Sequence, residues 1–265
     1  MENIDYLIEY LLRENPQIKI NNNLNTFKDK LQIYRSLVNI RQAKPISDKY
    51  LEKEQELLSY IRKSKSTIKQ EDIIKLNESN PTNHENNDNI ISLWKGDITT
   101  LSVEAIVNAA NSQGLGCFTP CHNCIDNQIN TYAGVSLRLE CNEIMKNYNY
   151  NIPTGEAFIT KAYNLPSKHV IHTVGPIIED HVTKKHERLL ANCYTNSLEL
   201  ARENNIRSIA FPCISTGVFR FPIELASKIA VKTVDNYLDK YYESFDNVIF
   251  NLYTKGDVEI YERTI

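Results

Sequence analysis

The first third of this sequence lacks both glycine and cysteine. All eight glycines and all six cysteines of the 265-residue chain lie after residue 95. A compositional shift of this kind is typical of a boundary between structural units. We therefore expect an N-terminal helical extension with a polar linker over residues 1–89, and a main domain over residues 90–265.

The chain also lacks long apolar runs and a strong net charge, and no leader is expected at its start. No apolar run approaches the ~18 residues that a membrane span needs, so no membrane partner is expected. The formal net charge of −3 provides no broad basic surface for nucleic acid, and a small-molecule partner is expected instead. The start, MENIDYLIEYLLRENP, has neither a basic region nor a small-residue cleavage site, which argues against a signal peptide. Six cysteines do not form a dense disulfide framework in a chain this long, so a reducing, cytoplasmic location is expected.

Apolar residues in the first third recur at helical spacing, which predicts amphipathic helices that pack on the main domain. Pro16 and Pro45 separate these helices. Residues 77–89 are polar and rich in asparagine, which predicts a linker or loop. The apolar stripes cover residues 6–11, 27–38 and 51–61.

From residue 90 onward, short apolar runs alternate with longer amphipathic segments. This alternation predicts three layers, with helices on both faces of a sheet. One continuous helical face is expected from Ile125 to Ile144, a second from Leu190 to Ala201, and the last predicted helix begins at Pro222. Strands are expected over residues 90–94, 105–109, 157–161, 170–174, 208–213 and 248–253.

Three cysteines and a histidine lie within eight residues of one stretch, NAANSQGLGCFTPCHNCIDN, at residues 108–127. Thiolate and imidazole are ligands that Zn²⁺ prefers, and the spacing Cys-x4-His-x-Cys lets one loop supply three of them. We therefore predict a metal site with one zinc ion per chain. Three protein ligands leave a position open for water or substrate, whereas a fourth closes the site and makes it structural. The four residues are Cys117, Cys121, His122 and Cys124.

Two simpler explanations of this cluster stay open. Free cysteines are often buried as small apolar residues. In addition, Cys121 and Cys124 form the Cys-x-x-Cys pattern of a redox pair.

A second loop, ISTGVF at residues 214–219, follows a predicted strand and leads into the helix at Pro222. Gly217 lets the backbone come close to a ligand, and the following helix offers free N–H groups and a positive dipole end. The pattern favours phosphate binding, although glycine often occurs in such turns only because it can adopt the required φ angle. The chain has no Walker sequence and no Gly-x-Gly-x-x-Gly, which argues against common nucleotide hydrolases and dinucleotide dehydrogenases.

Five segments of the main domain form an ordered set: WKGDIT from Trp94, AIVNAANS from Ala105, GEAFIT from Gly155, VIHTVGP from Val170 and IAFPCISTGVF from Ile209. In this order they resemble the macrodomain family of ADP-ribose binders and hydrolases, over residues 90–265. The resemblance implies a three-layer α/β/α fold with a mixed central sheet. The cysteine-rich segment replaces the glycine run of most members and resembles the zinc-dependent branch, whose members are protein ADP-ribosyl hydrolases and also tend to carry an N-terminal helical extension.

The resemblance implies binding roles at the matching positions. Asp97 would read the adenine amino group, with Ile98 as its backbone neighbour. Asn108 and Asn111 would lie near the distal ribose. The second loop would wrap the diphosphate, and its last residue would cover the distal ribose. This loop contributes Ser215, Thr216, Gly217, Val218 and Phe219.

The resemblance also implies the zinc ligands and the catalytic residues. Cys117, His122 and Cys124 match the ligands, while Cys121 falls at a variable position. Asp126 matches the acidic residue that metal-free hydrolytic members use beside the distal ribose, and Asn111 is expected to act with it.

Two other roles are open for Asp126, which can cap the helix that starts there or hold a ligand or a water. Asn130 stands where the family usually has a histidine, which implies lower activity if that histidine helps catalysis. His172 lies in a predicted strand and is expected to be a satisfied core histidine rather than a ligand.

The expected function is zinc-dependent removal of ADP-ribose from mono-ADP-ribosylated proteins, by cleavage at C1″ of the distal ribose. Zinc would hold a ribose or phosphate oxygen, or lower the pKa of a water to about 7. ADP-ribose and modified proteins are then the partners of a monomer. One alternative is a reader that binds ADP-ribose without cleaving it, but a reader needs no open metal site. A structural zinc or redox module is the other, but it would need neither Asp97 nor the 215–219 loop.

Overall fold

The computed structural model describes residues 2–20, 26–74 and 90–265. The described part of the extension contains three α-helices: α1 (Glu2–Glu14), α2 (Phe27–Ile40) and α3 (Asp48–Lys65). They match the three apolar stripes, so the prediction of helices there is confirmed. The linker predicted over residues 77–89 lies outside the described residues.

Local signals start two of these helices. Thr26 accepts a hydrogen bond from the Asp29 N–H, and the Asp29 carboxylate accepts one from the Thr26 N–H, which completes a capping box for α2. Ser47 caps α3 by accepting from the Tyr50 N–H. The apolar stripes of the three helices share one core, which includes Ile4, Leu7, Leu11, Tyr34, Leu37, Leu57 and Leu58.

The described strands are β1 (Ile68–Lys69), β2 (Ile91–Lys95), β3 (Leu101–Ser102), β4 (Ala105–Ala109), β5 (Ala157–Lys161), β6 (His169–Thr173), β7 (Ser208–Phe211) and β8 (Asn247–Leu252). Six of them form the central sheet in the order β2-β8-β7-β4-β6-β5, while β1 pairs with β3. In the central sheet β5 is antiparallel to β6 and the other pairs are parallel, so the expected mixed sheet is confirmed. The six predicted strands are all present, with ends shifted by at most two residues.

Helices that cover the sheet are α4 (Ile125–Ala133), α5 (Val135–Met145), α6 (Lys184–Glu203), α7 (Ile223–Tyr241) and α8 (Lys255–Thr264). Successive strand residues face opposite sides of a sheet. Ile106 and Ala210 accordingly lie in the core beneath α4 and α5, and Val107 and Phe211 in the core beneath α6, α7 and α8. The expected three-layer fold is confirmed. No helix in the described part of the chain is long and apolar enough to cross a membrane.

The single helical face predicted from Ile125 to Ile144 is divided between two helices. The break falls at Gly134, whose φ of 91° lies in the left-handed region that favours glycine. Glu54 of α3 accepts a hydrogen bond from the Val135 N–H at 2.9 Å. The extension therefore caps the second helix, which a pattern of apolar residues alone does not reveal.

Helix α8 is a second correction, because the sequence pattern predicts the helix after Pro222 as the last one. Thr254 and Asp257 form a capping box at its start. Tyr261 is 1% exposed and anchors the helix on the sheet. Thr-x-x-Asp before an apolar position is the signal that would have identified this helix.

The extension packs directly on the main domain. Tyr132 and Val135 belong to the apolar core that the three extension helices build. β1 pairs in parallel with β3, and Arg62 donates a hydrogen bond to the Asn164 carbonyl. These contacts bring extension residues close to the loops described next.

Candidate active site

The predicted site residues lie at one edge of the central sheet. Because β2, β4, β6, β7 and β8 run parallel, their carboxyl ends meet at that edge, which is where ligands bind in open α/β sheets. Asp97 follows β2, the cysteine-rich loop follows β4, and residues 212–222 follow β7. Sheet topology thus brings together three segments that are far apart in the sequence.

The three predicted metal ligands converge. The ligand atoms of Cys117, His122 and Cys124 all lie within 4.8 Å of one another, and all three side chains are half-buried. Cys117 Sγ is 3.7 Å from His122 Nδ1. Two thiols and one imidazole at these distances fit a zinc ion with an open position. Within residues 2–20, 26–74 and 90–265 no other group of three His, Cys, Asp or Glu side chains converges in this way.

Cys121 lies outside this group. Its thiol contacts the Gln32 carbonyl of α2 at 3.3 Å, and its N–H donates to Asn39 Oδ1 at 2.9 Å. Its φ of 52° places it in the left-handed region. The loop therefore brings three candidate ligands together rather than four.

Two local features shape the loop around these ligands. Gly116 has a φ of 85°, and a Cβ there would lie 2.6 Å from the Asn130 side chain, so glycine is required. Cys124 is the N-cap residue of α4, and its Sγ accepts the Asn127 N–H at 3.4 Å. Burial and the neighbouring Asp126 carboxylate raise the pKa of the Cys124 thiol to about 12, whereas the positive end of the helix dipole favours its thiolate.

The Asp126 carboxylate contacts three asparagine side chains. Asn108 and Asn130 donate to Oδ1 at 2.8 and 3.0 Å. Asn111 donates to Oδ2 at 3.2 Å. Burial raises the pKa of Asp126 to about 6, against the opposing effects of the Asn108 hydrogen bond and the charge of Arg138. The amide donors stabilise the ionised form, so a carboxylate is held here at neutral pH.

Asp126 does not cap α4, so the capping role that the sequence left open is wrong. Cys124 occupies the N-cap, and Asp126 lies in the first helical turn with its side chain directed to Asn108. The reason is local geometry: an N-cap side chain bonds to an N–H two or three residues ahead, and Cys124 already does so. The roles in chemistry and in holding a ligand or a water stay predictions.

His172 is a satisfied core histidine, as predicted. Its Nε2 lies 3.0 Å from Thr160 Oγ1, its Nδ1 lies 3.1 Å from Asn108 Nδ2, and its ring stacks on Phe158. Because an amide nitrogen can only donate, Nδ1 is the acceptor, and burial lowers the pKa of His172 to about 3. A neutral His172 therefore orients Asn108, which in turn holds Asp126.

Asp97 begins a 3-10 turn over Ile98–Thr100. Its Oδ1 accepts from the Thr99 N–H and hydroxyl at 3.0 and 2.6 Å, and its Oδ2 accepts from Lys65 Nζ at 2.9 Å. Burial by itself would raise the pKa of Asp97, but the Thr99 hydrogen bond and Lys65 hold it below its ordinary value. The side chain is still 40% exposed, so a ligand can reach it. The Ile98 side chain is buried, so the binding role expected for Ile98 is left to its backbone.

The loop after β7 is tightly bent. Ser215 has a φ of 65°, and its carbonyl accepts the Phe221 N–H at 2.9 Å. Thr216 Oγ1 donates to the Cys213 carbonyl at 2.9 Å, and the Ile178 N–H donates to the Phe219 carbonyl at 2.9 Å. These contacts fix the loop from inside and from the neighbouring segment.

The tip of this loop faces open space. A Cβ built on Gly217 would meet nothing within 4 Å, and the Val218 side chain is 68% exposed. Among the hydrogen bonds of the described residues, none uses the N–H of Gly217, Val218 or Phe219. Consecutive free N–H groups beside a helix N-terminus are what an anion binds.

Sequence reasoning missed one contact of Asp97 and one exposed aromatic residue at the same sheet edge. Lys65 of α3 pairs with the Asp97 carboxylate and lies 3.6 Å from the centroid of the Tyr132 ring. Tyr253, 77% exposed, follows β8, which is the partner strand of β2. Lys65 carries no local signal because the contact depends on packing of the extension. An aromatic residue directly after a predicted strand was the available signal for Tyr253.

Comparison with known sequences identifies close relatives. The Macro domain family matches residues 107–230. The protein-ADP-ribose hydrolase of Treponema medium is 45% identical over 258 residues, covering 97% of this chain and 96% of the relative. The protein-ADP-ribose hydrolase of Staphylococcus aureus strain MSSA476 is 43% identical and covers 98% of this chain and 93% of the relative. The likeness therefore includes the extension.

Comparison with solved structures identifies the same family. The Oceanobacillus iheyensis macrodomain with ADP superposes with a TM-score of 0.60 at 39% identity, covering 68% of this chain and 92% of that one. The Trypanosoma brucei macrodomain in complex with ADP-ribose superposes with a TM-score of 0.66 at 29% identity, covering 83% and 91%. Both proteins hold an adenosine diphosphate group by their own descriptions.

Proposed function

This chain belongs to the macrodomain family, and from that premise we propose that it is a zinc-dependent protein-ADP-ribose hydrolase. It removes ADP-ribose from mono-ADP-ribosylated proteins by cleaving the bond at C1″ of the distal ribose. Its relatives over nearly the full length are named protein-ADP-ribose hydrolases, which supports the reaction class. The observation that carries the zinc proposal is the convergence of Cys117, His122 and Cys124 two residues before a buried Asp126.

The proposed ligand position follows the sheet edge. Adenine lies at Asp97, whose partly exposed carboxylate accepts from the amino group, with the Ile98 backbone beside it and Tyr253 at the same sheet edge. The diphosphate lies at the free N–H groups of the loop after β7, and the distal ribose extends toward Asn111 and Asp126. In this arrangement Phe219 covers the distal ribose, and the loop residues that face the diphosphate are Ser215, Thr216, Gly217 and Val218.

The residues that would hold zinc are Cys117, His122 and Cys124. Zinc bound there supplies a Lewis acid that stabilises negative charge on oxygen. The chain's own groups orient the reaction. Asp126 takes a proton from the attacking water as the water oxygen bonds to C1″, while the bond from C1″ to the protein side chain breaks and that side chain takes up a proton from solvent. Asp126 then returns its proton to solvent. Asn108 and Asn111 keep the Asp126 carboxylate in place.

Release of free ADP-ribose from mono-ADP-ribosylated proteins tests this function directly. Substrates modified through different side-chain linkages should be compared, each with and without a zinc chelator. We expect release from at least one linkage and its loss with chelator. Binding of ADP-ribose without release from any linkage would identify a reader instead, and release that survives chelation would remove zinc from the proposal.

Purified protein is expected to carry one zinc per chain, because the described residues offer a single convergent set of ligands. Elemental analysis after purification without chelators measures this ratio. A ratio near zero would leave the cysteine cluster without its proposed metal.

Asp97→Ala is expected to weaken ADP-ribose binding by the ~1–3 kcal/mol typical of a lost charged hydrogen bond. This corresponds to about a 5- to 150-fold higher Kd by calorimetry. Ribose 5-phosphate, which has no base, should compete equally well for the wild type and the variant. An unchanged Kd for ADP-ribose would exclude Asp97 from the binding site.

A further inference from the structure

The extension contacts the cysteine-rich loop through Asn39, near the end of α2. Asn39 is 1% exposed, and both ends of its amide are used. Its Oδ1 accepts the Cys121 N–H at 2.9 Å, and its Nδ2 donates to Thr131 Oγ1 of α4 at 2.9 Å. The amide orientation is therefore set, with the acceptor facing the loop.

The contact falls on the residue that precedes a metal-ligand candidate. Cys121 has a left-handed φ of 52°, a conformation that non-glycine residues adopt only when their surroundings hold them there. Asn39 holds its N–H and the Gln32 carbonyl contacts its thiol, so α2 fixes this bend on two sides. The bend sets the direction in which His122 leaves the chain toward Cys117.

Arg138 ties the other end of the loop to the extension. Its Nη1 donates to the carbonyls of Val38 and Arg41, at the end of α2, at 2.9 and 2.6 Å. Its Nε donates to the Leu115 carbonyl at 2.7 Å, and its guanidinium lies 4.4 Å from the centroid of the Phe118 ring. Leu115 and Phe118 flank Cys117 closely in the sequence, so α2 is linked to the loop near the first ligand as well as near His122.

We propose that the N-terminal extension holds the cysteine-rich loop in the conformation that binds the metal, with Asn39 as the positioning residue. This inference rests on the proposed zinc site and assigns a function to the extension. A loop that becomes ordered only when it binds an ion binds that ion more weakly, because ordering the loop costs free energy. A loop held by buried partners is already ordered and avoids this cost. The extension thereby retains zinc without supplying a ligand.

Zinc release from the full-length protein tests the inference. Zinc-loaded protein is mixed with an excess of a chromogenic chelator, and the rate of colour formation gives the rate of release. Asn39→Ala is expected to release zinc about tenfold faster than the wild type. This is in the range by which metal affinity falls when a residue that supports the metal ligands is lost. Equal rates would overturn the inference and leave the proposed function standing.

Two matched variants separate positioning from loss of stability. Ser92→Ala removes an equally buried side-chain hydrogen bond, between β2 and β8, and leaves both contacts of Asn39 in place, so its release rate should match the wild type. Asn39→Asp keeps an acceptor oxygen for the Cys121 N–H and should restore slow release. Fast release from Ser92→Ala would show a general effect of destabilisation and would overturn the inference.

Hydrogen exchange of the Cys121 N–H tests the inference without bound metal, and it does not depend on whether the Asn39→Ala variant folds. In the zinc-free wild type the Cys121 N–H is expected to exchange slowly because Asn39 accepts it. Exchange as fast as in an unstructured peptide would overturn the inference even if Asn39→Ala fails to fold. A wild type that takes up no zinc would overturn the proposed zinc site, and this inference with it.

Discussion

Cys117→Ala, His122→Ala and Cys124→Ala are each expected to lose both zinc and ADP-ribose release, whereas Cys121→Ser keeps both. The reason is geometric: the first three side chains have ligand atoms within 4.8 Å of one another, while the Cys121 thiol contacts the Gln32 carbonyl. Loss of a residue that only hydrogen-bonds to a metal ligand lowers metal affinity or activity by about 10–100-fold, and loss of one of three ligands should lower them further. Metal content and released ADP-ribose are measured on the same samples.

Cys121→Ser serves as the matched control, because it changes a cysteine of the same loop by one atom. Loss of zinc in this variant would make Cys121 a fourth ligand and the site closed and structural. Full zinc content in Cys117→Ala would remove Cys117 from the ligand set. Thermal melting of each variant shows whether a loss of zinc is accompanied by loss of the fold.

Asp126→Asn is expected to lower hydrolysis by at least the ~10²-fold assigned to a general base. The substitution keeps the shape of the side chain and one carbonyl oxygen for Asn108 and Asn130, which both donate to Oδ1. It removes the charge and replaces the oxygen that faces Asn111 with an amide nitrogen. The rate of ADP-ribose release at saturating substrate is the measurement, and zinc content and ADP-ribose affinity should change little.

Asp72→Asn is the matched control for this change. Asp72 lies in the extension and accepts a hydrogen bond from the Lys69 N–H. The Asp72→Asn variant should release ADP-ribose at the wild-type rate. Asp126→Asn hydrolysing at the wild-type rate would show that the carboxylate only organises the three asparagines. A loss of zinc in Asp126→Asn would instead indicate that the Asp126 carboxylate helps to hold the cysteine-rich loop.

Much of the main domain was predictable because its signals are local. Apolar runs of four to six residues identify the central strands, which are fully or largely buried. The spacing of Cys117, His122 and Cys124 within one loop limits how far apart their ligand atoms can lie, so their convergence needs little tertiary information. The compartment and the monomeric state stay predictions.

The errors arose where a distant residue decides a local structure. The division of the helical face at Gly134 depends on Glu54, which comes from α3 and caps the second helix. Cys124 occupies the N-cap of α4, and Asn108 of β4 holds the Asp126 carboxylate away from the helix start. Neither contact follows from spacing along the chain.

The sequence by itself determined the family, the order of the central strands, and a set of candidate residues for the chemistry, since these depend on residue type and short spacing. Tertiary structure alone decided how those side chains are oriented. Parallel strand ends bring Asp97 to the same edge as the cysteine-rich loop, and three asparagines from two elements and a loop enclose Asp126. The separation of Cys121 from the ligands depends on Asn39 and Gln32 of the extension. Hydrogen bonds between segments far apart in the chain exist only once the fold has placed them together, and so no local pattern encodes them.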